Sequence, residues 1–356
     1  MTLFLIVLAA IWGLGGWAGL PRGLKLGLTV LLFAAILLAH GLLPADHALA
    51  RIFGGSFAGW ATLAGASVLV WLYAQALGWL RARARRPDVE AAPAAAGTFG
   101  PAELDRYARH IVLREIGGPG QKALKNARVL VVGAGGLGSP ALLYLAAAGV
   151  GTIGVIDDDV VANSNLQRQV IHRDGDIGTP KVFSAEAAMV AQNPHITVRP
   201  YNRRLDAEIA AELFADYDLI VEGSDNFATR YLVNRVAAEL GKPVVGGAIS
   251  QWEGQVSVWD PGAGAPCYQC VFPEAPAAGL APSCAEAGVV GPLPGVIGTM
   301  MATEAIKIIA GAGEALRGRM LLWDGLYGEP RVIRTKRRED CPVCGEGRVV
   351  GGDAAT

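Results

Sequence analysis

A glycine-rich turn in the middle of the chain has the composition needed to hold a phosphate group. It follows the apolar run 128–132 and contains Gly133, Gly135, Gly136 and Gly138. Glycines let the backbone approach phosphate oxygens, and a helix that begins at the turn offers free N–H groups and the positive end of its dipole. By itself this spacing most often indicates NAD or FAD, and Asp157, after the next apolar run, suits the ribose of such a cofactor.

Charged residues beyond Asp157 favour a different chemistry. Arg168 and Lys181 stand where nucleotide phosphates could be reached, and Asp225 follows a later strand at the ligand edge of the predicted sheet. A carboxylate beside phosphates suits Mg²⁺, and cations together with Mg²⁺ neutralise charge that develops on phosphorus. Hydride transfer needs none of this, so the pattern favours attack on a phosphate. An NAD-dependent, membrane-tethered oxidoreductase stands as the alternative hypothesis.

Four of the five cysteines form two Cys-x-x-Cys pairs far apart in the sequence. They are Cys267, Cys270, Cys341 and Cys344. Four thiolates predict a closed tetrahedral zinc site of structural type, in a compartment where thiols stay reduced. Two histidines, His110 and His172, fall near the predicted site, but the sequence gives neither a partner, so we expect them to serve orientation or packing.

The elements that must position these residues alternate between strands and helices. Strands are predicted at 128–133, 152–157, 196–201, 218–223 and 243–248, and helices near 138–149, 180–192, 206–215 and 227–240. The alternation predicts an α/β fold with a Rossmann-like, mostly parallel sheet and helices on both faces. Runs at 255–259, 319–323 and 331–335 predict antiparallel strands that finish the sheet, 272–292 a long mobile loop, and 295–310 a helix.

The first third of the chain is too apolar for an ordinary soluble domain. The 356 residues are 52% hydrophobic and 18% charged, and the uncharged stretches 1–21, 26–45 and 52–80 match the roughly 20 residues of a membrane-spanning helix. We therefore predict three transmembrane helices in a membrane anchor at 1–86. A flexible linker at 87–100, a catalytic domain at 101–345 and a disordered tail at 346–356 follow.

Basic residues set the expected orientation of the anchor. Arg22 and Lys25 follow the first stretch, and four arginines at 81–86 follow the third. Positively charged loops stay in the cytoplasm, so we expect a multi-pass protein of the inner (cytoplasmic) membrane, with its N-terminus outside and its catalytic domain inside. The net charge of −1 gives no sign of a nucleic-acid partner.

The motifs, taken in order, resemble those of the MoeB/ThiF/HesA family, bacterial relatives of the ubiquitin-activating enzymes. They are Gly-x-Gly-Gly-Leu-Gly, Asp-x-Asp, Ser-Asn-Leu-Gln-Arg-Gln, Gly-x-Pro-Lys and Ser-Asp-Asn, within residues 103–345. The resemblance, closest to MoeB-like members, implies adenylation by ATP of the C-terminal glycine of a ubiquitin-like sulfur carrier ending in Gly-Gly. Pyrophosphate would be released, for molybdenum cofactor or thiamine biosynthesis. A non-catalytic, membrane-bound scaffold for the carrier is a further alternative.

The resemblance also implies roles for individual residues. Asp157 would hold the ribose, and Asn165, Arg168 and Lys181 would contact the phosphates; Asp159 and Asn226 belong to the implied ATP site. Asp225 would bind Mg²⁺. Arg109 matches an arginine that reaches the site from the other subunit, which implies a homodimer. Cys284 matches a loop cysteine that is covalently active in some members and dispensable in others.

Overall fold

The computed structural model describes residues 2–44, 47–84, 99–276 and 287–345. The chain forms two compact units, residues 1–92 and 93–356. Most of the predicted linker, the predicted tail and Cys284 lie outside the described residues.

The first unit is helical. Its helices are α1 (Thr2–Trp17), α2 (Arg22–Leu42), α3 (Ala48–Phe53) and α4 (Phe57–Ala84). Phe4, Ile36 and Trp60 form its small core. The predicted stretch 52–80 is not one helix, because Gly54 and Gly55 adopt positive φ angles of 64° and 83° and separate α3 from α4.

Two helical segments of this unit, Gly23–Leu42 and Phe57–Leu77, are long and apolar enough to cross a membrane, judged by length and composition. The first predicted span is shorter than expected. Helix α1 has 16 residues, or ~24 Å at 1.5 Å per residue, against a hydrocarbon core of ~30 Å.

The second unit is built on one eight-stranded sheet. Its strands are β1 (Arg128–Val132), β2 (Thr152–Ile156), β3 (Thr197–Tyr201), β4 (Leu219–Glu222), β5 (Val244–Ile249), β6 (Glu253–Trp259), β7 (Arg319–Asp324) and β8 (Glu329–Arg334). Their order is β3-β2-β1-β4-β5-β6-β7-β8. The first five strands in that order pair in parallel, and β6, β7 and β8 are added antiparallel. The mixed α/β sheet agrees with the predicted fold class.

Helices cover both faces of this sheet. They are α5 (Pro101–Ile111), α6 (Gly117–Asn126), α7 (Gly138–Ala148), α8 (Lys181–Gln192), α9 (Ala207–Ala215), α10 (Phe227–Glu239), α11 (Tyr268–Val271) and α12 (Pro292–Ala310). One core contains Leu142 of α7, Met189 of α8 and Met301 of α12. The other contains Phe214 of α9 and Val233 of α10.

Helix α12 is also long and apolar enough to span a membrane by composition. Ile297, Met301 and Ala305 are fully buried in the core beside the sheet. Its apolar character therefore serves the packing of the second unit. Helix α12 begins three residues before the predicted start. Pro292 and Pro294 fit its first turn, because the N–H groups of a first turn have no partner within the helix and a proline there costs no hydrogen bond.

Candidate active site

The register of the parallel strands brings three loops to one edge of the sheet. Val132 of β1 pairs with Ile156 of β2 on one side and with Glu222 of β4 on the other. The residues that follow, Gly133, Asp157 and Gly223, therefore leave the sheet at the same level. This edge, at the carboxyl ends of parallel strands, is where α/β sheets bind their ligands.

The glycine turn disfavours side chains at two of its positions, through the backbone conformation at Gly133 and through lack of space at Gly138. Gly133 has φ +93°, and a Cβ at Gly138 would lie 1.9 Å from the Gly133 carbonyl oxygen. Within the described residues, the N–H groups of Gly135 and Gly136 donate to no protein acceptor. The turn therefore presents free donors at the start of α7, as a phosphate site requires.

Asp157 is tied to this turn. Its Oδ2 accepts a hydrogen bond from the Ala134 N–H at 2.7 Å, and its Oδ1 accepts one from the Asp159 N–H at 2.8 Å. Burial raises the pKa of this carboxyl, against the opposing effect of Lys181 and the two N–H donors. Asp157 thus fixes the turn, and each carboxylate oxygen keeps a lone pair that could accept a further hydrogen bond.

Lys181 is a buried cation at the first position of α8. Its side chain is 5% exposed, and its Nζ lies 2.7 Å from Oδ2 of Asp159, whose side chain is 68% exposed. The Lys181 N–H also donates to the Asp159 carbonyl at 2.9 Å. An incoming phosphate could replace the exposed carboxylate as the partner of this ammonium group.

Arg168 reaches the other side of the glycine turn. Its side chain lies beside Gly136, with Cδ 4.0 Å from the position that a Cβ there would take. The guanidinium donates to Asn165 Oδ1 and to the Ser164 carbonyl, both at 3.0 Å. Asn165 therefore orients Arg168, and the two residues form one half-buried unit next to the turn.

Asp225 is exposed just after β4, at the same sheet edge. The next residue, Asn226, caps α10, because its Oδ1 accepts from the Thr229 N–H at 2.7 Å. Mg²⁺ is usually held by one or two carboxylates, phosphate oxygens and water. Asp225 offers one exposed carboxylate of that kind at the sheet edge.

The sequence did not predict a buried ion pair between Glu222 and Arg230, close to Asp225 in the chain. Glu222, 5% exposed, lies 3.5 Å from the Arg230 Nε and accepts from the Ser224 N–H at 2.7 Å. Arg230 donates in turn to the Ser224 and Gly247 carbonyls at 2.9 and 3.1 Å. Burial raises the pKa of Glu222, and Arg230 is the main group that opposes this. The pair holds the loop that carries Asp225.

Both histidines have partners in the structure. The His110 Nδ1 lies 3.1 Å from the Gln121 Oε1, which ties α5 to α6. His172 lies behind the glycine turn, with Nε2 3.0 Å from the Ala134 carbonyl and Nδ1 2.8 Å from the Ser184 Oγ. The sequence gave no indication of these hydrogen bonds beyond the closeness of both histidines to the motifs, because their partners lie at least 11 residues away in the chain.

Arg109 lies on the exposed side of α5. Among the described residues, no hydrogen bond or ion pair involves its side chain. Cys284 lies outside the described residues.

The four paired cysteines come together. The Sγ distances are 3.9 Å for Cys267–Cys270, 3.6 Å for Cys267–Cys341 and 3.4 Å for Cys270–Cys344. Zinc–sulfur bonds of ~2.3 Å in a tetrahedron place neighbouring thiolates ~3.8 Å apart. The cluster therefore has the donor set and the spacing of a zinc site.

The surroundings of the cluster also suit a cation. Burial raises the pKa of the Cys270 thiol to about 11, and a bound metal ion would favour its deprotonation. The Arg338 N–H donates to the Cys270 Sγ at 3.4 Å, and the Asn234 Nδ2 to the Cys267 Sγ at 3.7 Å. Such donors orient and stabilise thiolate ligands.

The fold and the site define a nucleotide-binding α/β protein with a cationic rim and a separate tetra-cysteine cluster. The ThiF family matches residues 107–343, and the chain belongs to that family, which confirms the predicted membership.

Two relatives and one solved structure are informative. The "SAMP-activating enzyme E1" of Haloferax volcanii is 51% identical over 247 residues, which cover 69% of this chain and 91% of the relative. The "sulfur carrier protein adenylyltransferase" of Thermus thermophilus is 51% identical over 248 residues, 68% of this chain and 92% of the relative. The crystal structure of E. coli MccB with MccA-N7isoASN superposes with a TM-score of 0.61 at 24% identity, covering 67% and 74% of the chains, and shows the fold alone.

Proposed function

We propose that this protein is an ATP-dependent adenylyltransferase that activates the C-terminal glycine of a small ubiquitin-like sulfur carrier. The observation that carries the proposal is the glycine turn with free N–H groups, which has Arg168 beside Gly136 and lies at the sheet edge that also carries Asp157 and Asp225. Lys181, paired with Asp159, supplies the second cation. The family and the relatives named as adenylyltransferases support it. An NAD site would need the turn and Asp157 but not the two cations.

The proposed reaction joins two anions. The carrier carboxylate attacks the α-phosphorus of ATP, an acyl–phosphate bond forms, and the bond to pyrophosphate breaks. The turn N–H groups, Arg168 and Lys181 would hold the phosphates and offset the repulsion between carboxylate and triphosphate. Asp225 would hold Mg²⁺, which neutralises charge on the departing pyrophosphate. A carboxylate is already nucleophilic at neutral pH, so no general base is required.

Exchange of labelled pyrophosphate into ATP tests this proposal. The full chain with Mg²⁺ and a Gly-Gly-ended carrier should catalyse exchange, and Arg168→Ala should lower the rate by about 100-fold, as for removal of one transition-state donor. Arg173→Ala, an exposed arginine five residues away, is the matched control and should keep the rate. Nicotinamide binding without exchange would favour the oxidoreductase. Carrier binding that Arg168→Ala leaves unchanged, without exchange, would favour the scaffold.

The identity of the sulfur carrier determines whether the enzyme serves molybdenum cofactor or thiamine biosynthesis. We propose a molybdopterin-type carrier, with a thiamine-type carrier as the alternative, and the same assay with each carrier in turn distinguishes them. Cys284→Ser should leave pyrophosphate exchange unchanged, because exchange reports adenylation alone. A separate sulfur-transfer assay that supplies a persulfide donor should lose activity in this variant if the thiol takes part.

We further propose that residues 1–86 anchor the enzyme to the inner membrane and leave residues 101–345 in the cytoplasm. The apolar segments of α2 and α4 support the anchor. The proposed orientation, with the N-terminus outside, rests on a third span at 1–21 and on the basic residues that follow the first and third stretches. Reporter fusions at residue 1 and after residue 345 test the orientation. A cytoplasmic N-terminus would mean that α1, with 16 residues, does not cross.

We also propose a homodimer in which each Arg109 enters the site of the other subunit. Exposed apolar side chains on α7 and α8, among them Tyr144, Phe183 and Val190, support a surface that a second copy covers.

A further inference from the structure

His172 lies directly behind the glycine turn, away from the solvent edge. It is 6% exposed, and its ring bridges two parts of the chain. Nε2 lies 3.0 Å from the Ala134 carbonyl oxygen inside the turn, and Nδ1 lies 2.8 Å from the Ser184 Oγ on α8. Neither contact follows from the roles proposed above for the nucleotide site.

The partners of the ring fix the hydrogen on Nε2. A carbonyl oxygen only accepts, so Nε2 must donate to Ala134 in both the neutral and the charged imidazole. Ser184 completes the arrangement, because its Oγ also lies 2.8 Å from the Asp176 Oδ2. Ser184 can donate to neutral Nδ1, or accept from a protonated ring while donating to Asp176. The bond to Ala134 persists in either case.

The bond to Ala134 determines where the next peptide N–H points. In a trans peptide the carbonyl of Ala134 and the N–H of Gly135 point in opposite directions. Because His172 draws the carbonyl inward, the Gly135 N–H is directed away from the protein interior. That N–H has no protein acceptor among the described residues.

The preceding peptide is held as well. The Ala134 N–H donates to the Asp157 Oδ2 at 2.7 Å, and Ala134 is fully buried. The turn is thus clamped on both sides of one residue, by a carboxylate after β2 and by an imidazole supported from α8.

We infer that His172 is a positioning residue of the nucleotide site: by holding the Ala134 carbonyl, it aims the Gly135 N–H at a nucleotide phosphate. This inference rests on the proposed function only in that the ligand is a nucleotide. Without the imidazole, the Ala134 carbonyl loses its buried partner, and the peptide can rotate so that an acceptor faces the phosphate.

Direct binding of ATP with Mg²⁺ to the full chain, purified in mild detergent, tests the inference. His172→Leu keeps a similar volume but removes the donor, and its Kd for ATP should rise by about tenfold, the effect of one misplaced phosphate donor. His172→Gln can place an amide N–H near the position of Nε2, and its Kd should stay within about threefold of wild type. His110→Leu, a half-buried histidine bonded to Gln121 instead, is the matched control and should leave Kd unchanged.

Several outcomes would overturn the inference. A structural role alone would lower the melting temperature of His172→Leu and His172→Gln alike and leave Kd per folded molecule unchanged. Equal weakening of ATP binding in both variants would also count against it. If His172→Leu does not fold, Ser184→Ala provides the test, because it removes the hydroxyl that holds Nδ1 of His172. An unchanged Kd for ATP in Ser184→Ala would then contradict the inference. Failure of pyrophosphate exchange with every carrier would reject the proposed reaction, while the difference in Kd would still stand.

Discussion

His172 should make the stability of the second unit depend on pH. Burial lowers its pKa below 6.5, and the charges nearest to it are those of Lys181, Asp157 and Asp176. In the unfolded chain the imidazole keeps its ordinary pKa, so below that value the unfolded state binds the extra proton first. The free energy of unfolding should therefore fall as pH falls below ~6.5, by up to ~1.4 kcal/mol per pH unit.

Urea unfolding at pH 7.5 and at pH 5.5 measures this dependence. The loss of stability on acidification should be smaller in His172→Gln than in wild type, because the glutamine takes no proton. The comparison between the two proteins is essential, since burial raises the pKa values of Asp157 and Glu222 and these groups act in the opposite direction. Equal losses in the two proteins would show that His172 does not titrate differently in the folded state.

At the level of single residues, the sequence indicated the proposed ligand groups but not the residues that hold them in place. Asp157, Arg168 and Lys181 belong to motifs, and the structure brings them to one sheet edge because each follows or precedes an element of predictable type. Glu222 and Ser184 have their partners in the tertiary structure. The carboxylate that ends the apolar run Leu219–Glu222 was the one available signal, since a charge in a buried strand needs a partner.

The turn between β1 and α7 is the element on which the proposed nucleotide binding depends. Gly138→Ala would place a Cβ 1.9 Å from the Gly133 carbonyl oxygen, a rigid backbone atom. We expect a loss of at least ~1–3 kcal/mol in the free energy of unfolding, because overpacking against backbone cannot be relieved by a rotamer change. ATP binding should weaken together with stability.

Gly175→Ala provides the control for that substitution. Nothing lies within 4 Å of a Cβ at Gly175, so its free energy of unfolding should change by less than ~0.5 kcal/mol. Denaturant unfolding of both variants measures the difference. Similar stabilities would mean that the turn is free to move away from Gly138.

The predicted elements differ in how well the sequence defined them. The central parallel strands β1, β2, β4 and β5 begin and end within a few residues of the prediction, because buried parallel strands appear as short, continuous apolar runs. Helix α6 was not predicted, since Gly117-Gly118-Pro119-Gly120 has the composition of a turn. It forms because Leu124 and Gln121 are fully buried and Gln121 donates to the Ala148 carbonyl at 2.8 Å. Tertiary packing outweighs the low helix propensity of glycine.

At the scale of the whole domain, the cysteine cluster joins segments that are 74 residues apart in sequence. We expect one zinc ion per chain in protein purified without chelators. Cys341→Ser should reduce the zinc content to near zero and lower the melting temperature by on the order of 10 °C, because metal binding contributes directly to folding. Metal analysis and thermal unfolding measure the two effects.

Cys284→Ser is the matched control for the zinc prediction. It removes a thiol that belongs to neither Cys-x-x-Cys pair, and it should keep both the zinc and the melting temperature. Zinc retained after Cys341→Ser would contradict a four-cysteine site, and zinc lost after Cys284→Ser would mean that the ligand set is different.

The proposed homodimer gives a test that depends on the whole assembly. Arg109→Ala and Asp225→Ala should each abolish pyrophosphate exchange. If Arg109 acts on the partner's site, a mixed dimer combines one doubly defective site with one intact site. Co-expression in equal amounts makes half of the dimers mixed, so the activity should return to about 25% of wild type.

The same experiment with two defects from one site supplies the control. Arg168 and Asp225 lie around the same glycine turn, so a mixed dimer of Arg168→Ala and Asp225→Ala has one defect in each site. That pair should remain inactive after co-expression. If the Arg109→Ala and Asp225→Ala pair also remains inactive while mixed dimers are isolated through two affinity tags, Arg109 acts within its own subunit or not at all. The exposed position of Arg109 on α5 would then need an explanation other than a shared site.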